Sequence, residues 1–176
     1  MTAPSVRQAI AAAETGKHRI DPARSSITFT TRHLFGLGTV RGSFQLRGGV
    51  VRIGDPVETS WARATIDVAS VVTGHSQRDR TIRSPRLLDV RAYPDMSFVS
   101  ERLTETAGQW FLHGSLSVRG TARQVEVTID QLEWTSPALS IRASARIDRY
   151  AFGITDYRGM AARHLDVRLD LLAHRG

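Results

Sequence analysis

Apolar and polar residues alternate with period two along most of the chain, the mark of strands with one buried face. In 27–33 the odd positions, Ile27, Phe29 and His33 among them, form the less polar set. In 40–46 the even positions do, through Val40, Gly42, Phe44 and Leu46. Ala62, Ala64, Ile66 and Val68 oppose Arg63, Thr65 and Asp67, and Met96 and Phe98 continue the theme. Further runs follow at Trp110 to Val118, Val125 to Ile129, Leu139 to Ile147 and Leu165 to Leu171. Gly48-Gly49, Gly54-Asp55-Pro56, Gly108, Gly120, Ser136-Pro137 and Gly159 supply turn chemistry between many of these eight runs. One-faced strands pair antiparallel, and eight with mostly short connections predict an all-β protein, an up-and-down barrel or a sandwich. A closed barrel also leaves no sheet edge open.

Two stretches break the alternation. A short helix is expected between Pro4 and Glu14, so that 1–16 is an N-terminal extension and 17–174 the barrel domain. In 70–94, His75 to Arg83 reads as a short helical turn with Ser76 as N-cap and Asp79 at the third helical position. Ser84-Pro85 stops it, and Leu87, Leu88, Val90 and Tyr93 can anchor the segment as a lid over one barrel end, around 75–90.

Eight strands enclose just enough space to be filled by side chains or to hold one ligand. The inward set mixes bulky with small residues, and alanine and glycine facing aromatics leave a slot walled by carbon. Ile27, Phe29, His33, Phe44, Ala62, Ala64, Ile66, Phe98, Leu112 and Ala143 are the expected ligand-facing residues, and His75, Arg78, Asp79, Arg83, Leu87 and Leu88 the expected lid and mouth. Affinity in such a slot comes from apolar area leaving water, roughly 25 cal/mol per Å².

The 176 residues suit one domain, and 41% hydrophobic with 23% charged residues lie in the globular range. The absence of cysteine removes disulfides, thiol nucleophiles and cysteine-held metals. Net charge is +7, almost all of it from arginine, with Lys17 the only lysine. Because the arginines are spread along the sequence, they read as a solvated surface, and no nucleic-acid partner is expected. The start resembles no secretory signal, and no run reaches the roughly 18 apolar residues of a membrane span, so a cytoplasmic location is the default expectation.

Chemistry-bearing patterns are sparse. The six histidines show no metal-ligand spacing, and neither a nucleophile elbow nor a P-loop is present. The Arg78, Asp79, Arg80 and Arg83 cluster either grips an anionic head group such as a diphosphate or forms a salt-bridged structural hub, and the hub is favoured. No catalytic or metal-binding residue is assigned and no cofactor is required.

Several segments together resemble the YceI-like family, also called lipid- or polyisoprenoid-binding. They are Asp21 with 25–29 and His33-Leu34, then 40–44, then the diagnostic 75–79, 82–84, 87–89 and Tyr93-Pro94 with Phe98 and Ser100. Residues 114–120, 147–149 and 152–154 extend the likeness over about 17–173. The resemblance implies a lipocalin-like, eight-stranded antiparallel barrel. It also implies non-catalytic binding, storage or transport of a long isoprenoid lipid, a polyprenyl chain or an isoprenoid quinone. The alternative is an enzyme of isomerase or cyclase type in the same cavity, which predicts a perturbed ionisable group inside it. A homodimer and a transient contact with a membrane surface are both compatible with these features.

Overall fold

The computed structural model describes residues 5–33 and 36–176. Among them are nine strands, of which β2 to β9 follow the eight alternating runs and lengthen them: β1 (Gly16–Ile20), β2 (Ser26–His33), β3 (Gly38–Ile53), β4 (Trp61–Val72), β5 (Asp95–Thr106), β6 (Gln109–Val118), β7 (Thr121–Thr135), β8 (Ala138–Asp148) and β9 (His164–Arg175). Every pairing is antiparallel, and β3–β4 contacts close the sheet. The wall nevertheless has eight positions, because β1 and β2 share one. β1 pairs with the ends of β3 and β9, whereas β2 pairs with the first half of β3 and the middle of β9. Between them lies the 3-10 turn Pro22–Arg24, opened by the Asp21 carboxylate, which accepts the Ala23 N–H at 2.9 Å.

The alternation does not mark β1 as a strand, since Ile20 is its one aliphatic residue and the other inward position is His18. That imidazole is fully buried, edge-on to Trp134 at 5.5 Å, with no hydrogen-bond partner on either nitrogen. Gly48-Gly49 is not a turn, as expected from sequence, but lies inside the continuous strand β3. The pairing with β4 shifts between Leu46 and Gly48. A bulge moves the inward set from Leu46 to Val51, and a side chain on Gly49 would collide with Ile20 at 2.7 Å.

The two barrel ends are closed differently. At the base lies α1 (Val6–Ala12), with Ser5 and Gln8 forming a reciprocal capping box. Ala9, Ile10 and Ala13 bury into the core there, while Arg7 pairs with Glu105 and stacks over Trp110. At the other end stand α2 (Ser76–Arg83), the chain to Pro94, the 3-10 turn Arg149–Phe152 and the loop that follows it. The cap of α2 differs from expectation. His75 is the N-cap, its Nδ1 accepting the Arg78 N–H at 3.3 Å, and Ser76 is the first helical residue. Asp79 makes no capping box. Its buried carboxylate accepts the N–H and hydroxyl of Thr73 (3.0 and 2.5 Å), which ties the helix to the end of β4.

β7 and β8 pair only from Thr128–Ser144 towards the base. Towards the lid end they part, and Phe152 and Ile154 are buried there in one cluster with Val118, Val125 and Ile147. A polar recess of about 580 Å³ lies along the parting, lined by side chains such as Arg123, Glu126, Arg146 and Asp166.

Candidate functional site

Strand parity builds the site. Inward positions of all the strands line an internal cavity of about 580 Å³, which starts beneath α1 at Ile10 and runs to Tyr157, Met160 and Ala161 at the lid end. That volume falls in the ~300–1,000 Å³ range of small-molecule pockets. All ten of the expected ligand-facing residues, Ile27, Phe29, His33, Phe44, Ala62, Ala64, Ile66, Phe98, Leu112 and Ala143, lie on its wall, as does Ala145. Phe29 and Phe44 meet at 5.5 Å between ring centres, tilted by 40°.

The aromatics do not plug the lumen, and glycine is the reason. The Phe29 ring lies against Gly42, its cross-strand partner, so closely that no Cβ could fit between them. The Phe98 ring covers Gly114, where a Cβ would come within 2.7 Å of it. His33 covers Gly38 in the same way. Each ring thus lies along the wall where a side chain is missing, and the middle stays clear.

The expected mouth residues separate into two groups. Arg78, Leu87 and Leu88 reach the cavity. His75, Asp79 and Arg83 do not, because each is engaged elsewhere. His75 caps α2, Asp79 holds Thr73, and the Arg83 guanidinium donates to the carbonyls of Ala69 (2.9 Å) and Val71 (2.5 Å). Arg78 donates to the Thr73 hydroxyl (2.8 Å) and carbonyl (2.9 Å). Arg78, Asp79 and Arg83 thus tie α2 to the end of β4 through neutral groups, and no salt bridge joins the cluster among the described residues.

Sequence reasoning missed Arg149, which lines the cavity and is buried. Its guanidinium donates to the carbonyls of Ala162, Ile154, Asp156 and Ala161, at 2.8 to 2.9 Å, and so folds the 153–163 loop around itself. Burial lowers its pKa from the usual arginine value, against the pull of Tyr150 and Asp156. The adjoining Asp148 carboxyl is held down to about 2, first by its hydrogen bonds from Arg163 at 2.9 and 2.6 Å. No periodic signal marks Arg149, since its partners are backbone atoms of a loop. Among the described residues, the cavity lining includes Arg32, Arg63, Arg78, Arg149 and His33 but no carboxylate. Arg32, His33, Arg78 and Arg149 all stand at the lid end.

The lid closes over this end by a small clasp. Arg86, beyond α2, donates to Asp156 at 3.2 Å and stacks over Tyr157 at 5.4 Å, joining the 84–94 segment to the 153–163 loop. Asp156 raises the Arg86 pKa through that hydrogen bond.

A closed antiparallel barrel around a carbon-walled cavity, with its cationic groups gathered mainly at one end, defines a lipocalin-like cavity protein. Within that class, the chain belongs to the YceI-like domain family, whose model matches residues 18–173. A UPF0312 protein of Pectobacterium carotovorum is 23% identical over 175 residues, covering 95% of this chain and 91% of its own. Among solved structures, Burkholderia cenocepacia BcnA is similar with a TM-score of 0.78 at 21% identity, covering 87% of this chain and 98% of its own. A polyisoprenoid binding domain from Saccharophagus degradans, implicated in plant cell wall breakdown, gives 0.70 at 12% identity over 93% and 100%. At these identities the two structures share the fold with this chain.

Proposed function

We propose that this protein binds a long apolar isoprenoid lipid, a polyprenyl chain or an isoprenoid quinone, inside the barrel, and stores or carries it without chemical change. The observation that carries the reading is the lengthwise cavity lined almost wholly by carbon, from Ile10 to Met160. A hydrocarbon chain there needs no hydrogen bond, since each methylene taken from water contributes about 0.8 kcal/mol. The polar end fits a head group. Arg78, Arg149 and His33 surround the lid end of the cavity, and an electron-rich or anionic head would sit beside them with the tail pointing to α1. The fold is shared with the Saccharophagus domain that is described as polyisoprenoid-binding.

The lining also favours binding over acid–base catalysis. A proton-transfer site needs a group that changes charge near neutral pH. His33 is the one imidazole on the wall, but no carboxylate stands on the lining to pair with it among the described residues, and Arg149 stays protonated even though burial lowers its pKa. Solvent extraction of the purified protein followed by mass spectrometry tests the reading. The expected result is a ladder of species spaced by one isoprene unit, or a single quinone, at close to one per chain. Extracts with no apolar compound above those of an unrelated protein purified in parallel would overturn it.

A further inference from the structure

The charge carried by the strand connections is polarised along the barrel axis, although the arginines look scattered in sequence. The lid-end connections hold most of it. Residues 73–94 carry five arginines against two aspartates, Arg119 adds one, and 149–163 carry three arginines against Asp156, a net +6 where the whole chain has +7. At the base, the 54–60 connection carries only Asp55 and Glu58, the other two strand connections carry no charge, and Arg7 and Glu14 in 5–15 cancel. Among the described residues at the lid end, Arg86 and Arg163 have carboxylate partners, while the exposed Arg80, Arg91 and Arg158 have none.

Apolar side chains project from the same rim. Leu37 is 90% exposed and Met160 54%. They flank the lid-end tip of β2, for Leu37 precedes Gly38, which pairs with His33, and His33 bridges to Ala161 beside Met160. Met160 also lies on the cavity lining, so the apolar tip and the mouth are continuous. Exposed leucine and methionine at the same end as arginines without carboxylate partners match one kind of partner. The arginines suit lipid phosphates, and the tip suits the acyl boundary just beneath them. A nucleic acid would satisfy the arginines and leave the tip in water.

We infer that the lid end docks on an anionic lipid bilayer, with Leu37 and Met160 inserted and the mouth facing the membrane, so that cargo passes between bilayer and barrel without crossing water. The inference rests on the lipid-carrier reading for its purpose and on charge and exposure for its geometry.

The chain has no cysteine, so single dyes can report orientation. An environment-sensitive dye is attached at Leu37→Cys, or at Glu58→Cys on the opposite end, and the protein is mixed with vesicles of phosphatidylcholine alone or with phosphatidylglycerol added. Docking predicts brightening at position 37 only, with phosphatidylglycerol vesicles only, reversed by high salt. The variant Arg80→Gln/Arg91→Gln/Arg158→Gln is expected to lose on the order of a hundredfold in vesicle affinity. It should still take up an isoprenoid quinone from detergent solution, because none of the three lines the cavity. Equal brightening at position 58, no response to phosphatidylglycerol, an unaffected triple variant, or tighter binding to a single-stranded RNA oligonucleotide than to these vesicles would overturn the inference. Docking without any uptake from detergent would instead uphold the surface and defeat the carrier reading.

Discussion

Phe29 lies over Gly42, its cross-strand partner, and Phe98 lies over Gly114, two residues along β6 from its own partner Leu116; these close approaches decide how much of the lumen is free. A ring buries 150–250 Å², so two rings standing into an eight-stranded barrel would go far towards filling it. Lying over Gly42 and Gly114 they act as wall. Gly114→Ala places a Cβ 2.7 Å from the Phe98 ring and 2.5 Å from the Val99 carbonyl, so the ring must swing inward. A loss of about 1–3 kcal/mol is expected in urea unfolding, together with less bound lipid per chain. An unchanged lipid content would show that Phe98 does not border the occupied space.

Asp148 supplies a second residue-scale test. Its folded pKa of about 2 lies below the ~3.9 of a free aspartate, because Arg163 and the Tyr150 N–H bond its charged form. A depressed carboxyl stabilises the fold above its unfolded pKa, and this contribution fades as pH falls through the folded value. Arg163→Gln should raise the Asp148 pKa towards ~3.9, read by carboxyl-carbon NMR. Its urea midpoint should trail the native protein above about pH 4 and meet it near pH 2. Meanwhile, two residues set limits on what alternation can reveal. His18 and Arg149 are both buried, yet neither is hydrophobic, and each is held by tertiary surroundings that a period-two pattern does not encode.

At the scale of elements, inward parity was legible wherever a strand carried three or more apolar residues on one face. This is why the pattern alone assigns Ala62, Ala64, Ala143 and Ala145 to the interior, and all four line the cavity. β1 was missed because only Ile20 speaks for it, and Gly48-Gly49 was misread because a glycine pair is the same signal in a turn and in a bulge. The parting of β7 from β8 is a matter of non-local pairing and leaves no local mark. The lid was legible as an interruption, but its contacts were not. Its clasp, Arg86 to Asp156, is solvent-exposed and easily screened. Arg86→Ala is therefore expected to speed uptake and release of a fluorescent apolar probe several-fold while leaving the thermal midpoint nearly unchanged. Salt near 1 M, where the Debye length is about 3 Å, should do the same to the native protein. Exchange rates indifferent to both would mean that cargo enters elsewhere, the parting of β7 and β8 being the next place to look.

At the scale of the whole molecule, separate features share one axis. α1 and a mildly acidic set of turns close the base, the cavity occupies the middle, and the lid-end connections carry the positive charge of the turns and the exposed apolar tip. None of this polarity can be seen along the sequence, where the arginines look evenly spread, because up-and-down strands bring every second connection to the same end. The central claim is that the interior is vacant and takes a hydrocarbon chain. It is tested most directly by native mass spectrometry of the intact protein beside the variant Ala64→Phe/Ala143→Phe, whose new rings would stand in the lumen, with circular dichroism checking that both are folded. The native chain should carry a non-covalent apolar adduct of defined mass, and the folded variant should carry none. An adduct equally abundant on both proteins, or absent from both, would contradict the account.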